Sequence, residues 1–133
     1  MSVNSYEDLI VWQKSVDLVV GIYQITKNLP REELYGLSDQ IRRAAISIPS
    51  NIAEGQQRHS PKDYLKFLAI AKGSLGELKT QLIICDRLGY LNAHQTEPLL
   101  DECDVIGRML SGLMKSLSGR AQAPSPKSQA PID

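Results

Sequence analysis

The 133-residue chain is poor in the features that mark a generic nucleic-acid-binding domain. It has no excess of either charge, because 15 Lys and Arg balance 15 Asp and Glu. Domains that bind nucleic acid through bulk electrostatics are usually strongly basic, so zero net charge argues against that class. A single Phe and a single Trp leave few rings on which the bases of a single strand could stack. This composition still permits a local basic face.

The chain also lacks a recognisable targeting or membrane segment. Its start, MSVNSYEDL, has neither the basic region nor the apolar core of a secretory signal. No apolar run approaches the ~20 residues needed to cross a bilayer. Cys85 and Cys103 lie 18 residues apart within apolar helical patterns, which favours buried thiols over a structural disulfide. We therefore expect a cytoplasmic protein.

Patterns typical of catalytic, cofactor or metal sites are missing as well. A di-metal site in a helical bundle uses Glu-x-x-His, and this spacing does not occur. His59 and His94 fall at predicted helix starts, and neither belongs to a recognisable nucleophile–base motif. The segment AKGSLGEL, residues 71–78, lacks the strand that precedes a phosphate-binding glycine loop, so its small residues predict close helix packing. The chain is predicted not to be an enzyme and to need no cofactor.

Apolar residues recur at helical spacing in four segments, and no strand pattern interrupts them. The predicted helices run from about Glu7 to Lys27, from near Leu34–Ser38 to about Gln57, from the N-cap Ser60 to Leu88–Gly89, and from the capping pair Asn92 and Gln95 to Leu117. Short connections predict an all-α, antiparallel up-and-down four-helix bundle over residues 1–118. Residues 119–133 are rich in Pro, Ser, Ala and Gln without periodicity, and predict a disordered tail.

The first helix carries two apolar stripes, although one suffices to face a bundle core. The first stripe consists of Leu9, Trp12, Val16, Val19 and Tyr23. The second is offset by roughly 100° and consists of Val11, Leu18, Ile22 and Ile25. Two stripes require two partners. We assign the second stripe to the contact with a neighbouring subunit, so that it is the predicted oligomer interface.

The second helix contains a proline within QIRRAAISIPSNIAEG, residues 40–55. Pro49 removes a backbone donor and crowds the carbonyl of Ala45, which predicts a kink. A break into two helices is the alternative, but the apolar register from Ile41 to Ile52 favours the kink. Polar residues at spacings of four, four, three and four form a stripe beside the apolar one: Arg43, Ser47, Asn51, Glu54 and Arg58.

Two interpretations of this polar stripe are open. It is either a hydrated helix face or a polar network at a junction between helices or subunits. In the network, Ser47 and Asn51 bond carbonyls freed by the kink, and Glu54 pairs with Arg58 one turn later. We favour the network and assign it to Ser47, Pro49, Asn51 and Glu54.

Basic residues are concentrated between Arg42 and Lys79, where seven Lys and Arg stand against three Asp and Glu. The start of the fourth helix is acidic in contrast. Ordinary mixing of surface charges is one interpretation, and a basic face on the second and third helices is the other. In an oligomeric ring such a face becomes multivalent. The candidate nucleic-acid-binding residues are Arg42, Arg43, Arg58, Lys62 and Lys66.

Three stretches carry a family resemblance: LIVWQKSVDLVVGIY, YGLSDQIRRAAISIPSNIAEGQQR and SPKDYLKFLAIAKGSLGELKTQLIICDRLGYL. Over about residues 6–91 the chain resembles the bacterial four-helix-bundle family of 23S rRNA-intervening-sequence proteins. The resemblance implies a non-catalytic protein that assembles into ring-like homopentamers. Some members are encoded within large-subunit ribosomal RNA genes. A related branch, the accessory variability proteins of diversity-generating retroelements, binds a reverse transcriptase and nucleic acid.

Two functional hypotheses follow from the residues and the resemblance together. The first is a homo-oligomeric, pentameric adaptor for RNA, DNA or a nucleic-acid enzyme such as a reverse transcriptase. The second is a purely structural, self-associating bundle with a protein partner and no nucleic-acid binding. Neither hypothesis involves a membrane, a metal or a cofactor.

Overall fold

The computed structural model of the protein describes residues 5–122, with side chains through residue 119. Four α-helices account for most of this range: α1 (Ile10–Thr26), α2 (Leu37–Gln57), α3 (Pro61–Arg87) and α4 (Ala93–Gln122). Short 3-10 turns at Tyr6–Asp8 and Arg31–Glu33 precede α1 and α2. Consecutive helices pack against each other, α1 also packs against α4, and none of the described residues is in a strand. The prediction of an all-α four-helix fold is confirmed.

Contacts between helices show that neighbours run in opposite directions. Between α3 and α4, Lys79 meets Asp104 while Lys72 meets Ser111, so residue numbers rise on one helix as they fall on the other. Between α2 and α3, Ser47 meets Ser74, and Gly55 lies against Phe67 further along. The connections between these helices are too short for any other arrangement of adjacent elements.

Side-chain caps define the starts of α3 and α4, as the sequence predicts. Ser60 Oγ accepts a hydrogen bond from the Asp63 amide at 3.3 Å. At the start of α4, the Asn92 amide donates to Gln95 Oε1 at 2.9 Å, and the Gln95 amide donates to Asn92 Oδ1 at 3.1 Å. This reciprocal pair is a capping box, which satisfies two backbone donors that the first turn leaves free.

The start of α2 is held by a contact that local sequence does not reveal. The Glu33 carboxylate accepts a hydrogen bond from the Leu37 amide at 3.2 Å. It also accepts one at 3.0 Å from the hydroxyl of Tyr90, which lies between α3 and α4. This bond is the main cause that raises the pKa of Tyr90. Glu33 thus joins two connections at one end of the bundle.

The helix bounds differ from the predicted ones at both ends of the chain. Leu9 has extended backbone (φ −77°, ψ 125°), so α1 begins at Ile10 and Glu7 belongs to the preceding 3-10 turn. At the other end, α4 continues to Gln122, four residues beyond the boundary predicted at residue 118. The remainder of the predicted tail, residues 123–133, lies outside the described residues.

The core corrects the assignment of the two stripes on α1. The stripe assigned to a neighbouring subunit is buried inside the single chain: Val11 is 5 % exposed, Leu18 and Ile22 are 0 %, and Ile25 is 7 %. Side chains already enclosed by their own bundle cannot contact another subunit without unfolding, so this interface assignment is wrong. The other stripe is only partly buried: Leu9, Trp12 and Val19 pack against the edge of the core, while Tyr23 is 37 % exposed and the neighbouring Val20 is 52 % exposed.

Helix α2 passes through Pro49 without interruption. It is one helix over Leu37–Gln57, with Pro49 inside and buried. The alternative of two separate helices is thereby excluded, while the kink itself stays a prediction. Ile41, Ile48 and Ile52 are all fully buried on both sides of the proline. Their burial on one face explains why the helix continues, since a break would withdraw part of this face from the core.

Candidate functional site

A polar network joins α2 to α3, as one of the two interpretations of the polar stripe predicts. Asn51 Nδ2 donates to the Ser47 carbonyl at 2.8 Å and to Ser47 Oγ at 2.9 Å. Ser74 Oγ of α3 donates to the same Ser47 hydroxyl at 2.8 Å. The carbonyl that Pro49 leaves without its usual donor is that of Ala45, so Asn51 bonds a different carbonyl from the one expected. The network nevertheless links the helices at mid-length.

Arg58 is positioned by contacts to both α2 and α3. Its Nη2 lies 3.0 Å from Glu54 Oε2, in the predicted i, i+4 pair. Its guanidinium carbon also lies 5.0 Å from the centre of the Phe67 ring, which is a cation–π contact. About half of each charged side chain remains exposed, so the ion pair contributes only ~0.3–0.5 kcal/mol. Its main effect is to orient a planar, charged donor group at the surface.

Two further cations lie on the first turns of α3, four and eight residues after Arg58 in the sequence. Lys62 and Lys66 are both exposed and are separated by one helical turn. Within the described part of the chain, neither lysine forms an ion pair. We call the surface formed by Arg58, Lys62 and Lys66 the basic corner. These three members of the predicted nucleic-acid-binding set lie within nine positions of one another in the sequence, and Arg58 contacts Phe67, the residue that follows Lys66.

The other two arginines of that set lie elsewhere. Arg43 precedes Arg58 by 15 residues, which is about 22 Å along the helix axis. It pairs with Asp39 at 2.9 Å on the outer surface of α2. Arg42 points to α1, where its Nε donates to Thr26 Oγ1 at 2.9 Å and its guanidinium covers the Tyr23 ring at 4.7 Å. The predicted five-residue site is therefore divided among three places.

A cleft between α3 and α4 contains basic residues that the sequence-based site omits. Lys72, Lys79 and Arg108 line it together with Asp104 and Ser111. Lys79 Nζ lies 2.6 Å from Asp104 Oδ1, and this bond is the main cause that lowers the pKa of Asp104. The sequence indicates this cleft only through the seven-residue spacing of Lys72 and Lys79, which places both lysines on the same side of α3.

The acidic segment at residues 101–104 divides around α4, as its helical spacing predicts. Asp101 and Glu102 line a groove against α1 together with Lys14 and Asp17, whereas Asp104 faces α3. The pKa of Glu102 is raised, first by burial and then by the charge of Asp17. The acidic groove and the basic surfaces therefore lie on different sides of the bundle.

The two cysteine thiols are free and lie in the core. Burial raises the pKa of Cys85 to about 11 and that of Cys103 to about 12. Thiols of this kind are protonated near neutral pH and are poor nucleophiles and metal ligands.

Among the described residues, His, Cys, Asp and Glu side chains form no group of three or more that could hold a metal ion. In the same part of the chain, no helix combines the length and apolar character required to span a bilayer.

The fold defines a small protein of four consecutively packed helices, with one groove lined mainly by carboxylates and one cleft lined mainly by cations. The sequence profile of the 23S rRNA-intervening sequence protein family matches residues 7–112, and the chain belongs to this family. It is also similar to a crystal structure from Bacteroides thetaiotaomicron VPI-5482, described as a protein of unknown function from the S23 ribosomal protein family. The two share 30% sequence identity with a TM-score of 0.74, over 80% of this chain and 99% of the other. No curated protein matches the sequence.

Proposed function

We propose that the protein is a non-catalytic, homo-oligomeric adaptor that binds RNA or DNA, or docks to a nucleic-acid enzyme such as a reverse transcriptase, through the basic corner. The observation that supports this proposal is that Arg58, at the end of α2, contacts Phe67 of α3, while the exposed Lys62 and Lys66 lie on the first turns of the same helix. Five copies in a ring is the assembly that the family resemblance implies. Buried, free thiols are compatible with a reducing cytoplasm.

The three cations of the basic corner suit phosphate groups in complementary ways. Lys62 and Lys66 are flexible point charges separated by about 6 Å along α3, and neither forms an ion pair within the described residues. The guanidinium of Arg58 is planar and already oriented by Glu54 and Phe67. Such a group can donate two parallel hydrogen bonds to one phosphate. One subunit supplies few contacts, so useful affinity would depend on several subunits acting together.

Self-association is proposed to use the accessible side of α1 in place of its buried stripe. We call this side the accessible stripe and define it anew by Trp12, Val16, Val20 and Tyr23, at spacings of four, four and three residues. All four keep part of their apolar surface exposed in the single chain. Burial of such surface between copies would stabilise an oligomer by roughly 25 cal/mol per Å² of apolar area. The stripe and the basic corner lie on different helices, so one contact need not obstruct the other.

Binding to nucleic acid is tested by reversing charge at the basic corner. The variant Arg58→Glu/Lys62→Glu is compared with Lys27→Glu/Arg87→Glu, which changes net charge equally at exposed positions near the opposite ends of α1 and α3. Binding to a fluorescent RNA hairpin and a DNA duplex is measured at low and physiological salt. We expect at least a tenfold loss for the corner variant and a much smaller loss for the control. Equal losses, or no binding by the wild type at low salt, would contradict the adaptor and leave the purely structural hypothesis.

The proposed subunit contact is tested separately by light scattering. Val20→Glu places a charge within the accessible stripe, whereas Lys14→Gln makes the same change in net charge at an exposed position about 120° away around α1. We expect Val20→Glu to yield monomers and Lys14→Gln to keep the assembly of the wild type. An intact oligomer in the Val20 variant would exclude this stripe as the interface.

A further inference from the structure

The cleft between α3 and α4 has the chemistry of an anion site, and the proposed adaptor function does not use it. It is an open groove of about 470 Å³ and is lined by three cations, Lys72, Lys79 and Arg108, against the single carboxylate of Asp104. The side chains at its base are apolar and buried, including Leu75 at 4 % exposure. Charges above a low-dielectric floor act more strongly on an anion than charges on an open surface.

The cations of this cleft are only partly compensated by the protein. Lys79 has a carboxylate partner in Asp104. Lys72 instead donates to a neutral hydroxyl, Ser111 Oγ, at 2.8 Å, and forms no ion pair within the described residues. Arg108 follows Asp104 by one helical turn and shares that carboxylate's field. Two positive charges in the cleft therefore remain without a negative partner of their own.

Gly76 lines the cleft at a position where no neighbouring helix requires a small residue. A Cβ atom added to Gly76 would meet no heavy atom within 4 Å, and the same is true of Gly73 on the preceding turn. The prediction that the small residues of 71–78 serve close packing is therefore wrong for both glycines. Glycine destabilises a helix relative to alanine, so its presence at 76 calls for another explanation. Gly76 lines the cleft, and any side chain there would project into free space beside the cations.

We propose that the α3–α4 cleft binds a phosphate group, with Lys72, Arg108 and Ser111 as donors and Lys79 exchanging between Asp104 and the bound anion. The phosphate belongs either to a small free anion or to the backbone of a nucleic acid. The second source rests on the proposed function, because Lys79 follows Lys62 by 17 residues, or about 25 Å along α3. A strand seated on the basic corner could then continue along α3 into the cleft.

The closing experiment fills the cleft without removing a charge. Gly76→Leu places a side chain in the cleft, and Gly73→Leu is its matched control, since both sites are exposed glycines of α3 with free space around them. Both substitutions improve helix propensity, so both variants should melt at or above the temperature of the wild type. Binding of inorganic pyrophosphate is measured by calorimetry, and binding of a fluorescent oligonucleotide by anisotropy. We expect Gly76→Leu to lose at least tenfold in affinity for one or both probes, and Gly73→Leu to bind as the wild type does.

Further variants change the charge of the cleft and should raise or lower its affinity for anions accordingly. Asp104→Asn removes the single carboxylate and frees Lys79, so probe affinity should rise several-fold and depend more steeply on salt. Lys72→Ala/Arg108→Ala should weaken binding, with Lys27→Ala/Arg87→Ala as the control, which removes two exposed cations outside the cleft. Unchanged affinity in Asp104→Asn and in the double variant would overturn the assignment of these residues as the anion site.

The outcomes separate this inference from the proposed function. Loss of pyrophosphate binding in Gly76→Leu supports the cleft even if no oligonucleotide binds, and identifies a small anion as the source. Loss of oligonucleotide binding in Gly76→Leu, with the basic-corner variant unaffected, supports the cleft and contradicts the corner. Equal binding of both probes by Gly76→Leu and Gly73→Leu overturns the cleft, whatever the corner variant does. No binding of either probe by the wild type overturns it as well.

Discussion

The substitution Leu18→Ala measures which stripe of α1 belongs to the core. Leu18 is fully buried, whereas Val20 on the same helix is 52 % exposed and belongs to the accessible stripe. We therefore expect Leu18→Ala to destabilise the folded chain and Val20→Ala to leave it nearly unchanged. The two variants shorten an apolar side chain in the same helix, which makes them a matched pair.

The expected magnitude follows from the buried surface. Leu18→Ala removes three carbons from a fully buried position, which costs about 2.4 kcal/mol at ~0.8 kcal/mol per carbon. The cavity left behind adds to this, so the total should be about 3–5 kcal/mol. Val20→Ala removes two half-exposed carbons, and the better helix propensity of alanine offsets most of the loss. Its net effect on the single chain should be below about 1 kcal/mol.

Urea unfolding followed by circular dichroism at two protein concentrations distinguishes the effects. Loss of core packing should lower the urea midpoint of Leu18→Ala at both protein concentrations. In a thermal unfolding experiment the same loss should lower the melting temperature by about 10–15 °C. A weakened subunit contact in Val20→Ala would instead appear as a changed dependence on concentration. The assignment of the core would be refuted if Leu18→Ala dissociated the oligomer but unfolded at the midpoint of the wild type.

Three further predictions concern caps, the polar network and the thiols. Asn92→Ala removes the capping box of α4 and should lower the free energy of unfolding by about 1 kcal/mol in urea titrations, and no loss would contradict the cap. Ser74→Ala removes the hydrogen bond between α2 and α3 and should cost about 0.5–1.5 kcal/mol in the same assay, while Ser50→Ala at an exposed position should be neutral. Cys85 and Cys103 should resist a thiol reagent at pH 8 until urea is added, and rapid labelling of the folded protein would contradict their burial. Because burial raises both thiol pKa values above the ordinary 9.0, to about 11 and about 12, the unfolded chain loses these protons first and stability should fall as pH rises from about 9 toward 12.

The basic corner was largely accessible to sequence reasoning. Glu54 and Arg58 are spaced for an i, i+4 pair, and the connection after α2 is short enough to bring the start of α3 beside them. Lys62 and Lys66 follow from the exposed face of α3. Phe67 was not foreseen as the partner of Arg58, because a cation–π contact between helices leaves no spacing rule in the sequence.

The polar stripe of α2 shows that periodicity predicts which residues share a helix face but not which residues of another helix they contact. Its spacing correctly placed Ser47 and Asn51 on one side of the helix, and they bond each other as neighbours one turn apart. Periodicity alone did not identify Ser74 as the residue that meets them from α3. The two interpretations could be separated only once the register of α2 against α3 was known.

By itself, the sequence determined the four helices, the caps of α3 and α4, and the divergence of Arg42 from Arg43, because these depend on contacts within a few residues. Tertiary structure alone decided which stripe of α1 is buried, since both stripes are apolar and only the positions of α2 and α4 select one. It also created the α3–α4 cleft, where Lys79 meets Asp104 from 25 residues away. Such a pairing depends on the register between two helices, and that register is set by the packing of the whole core.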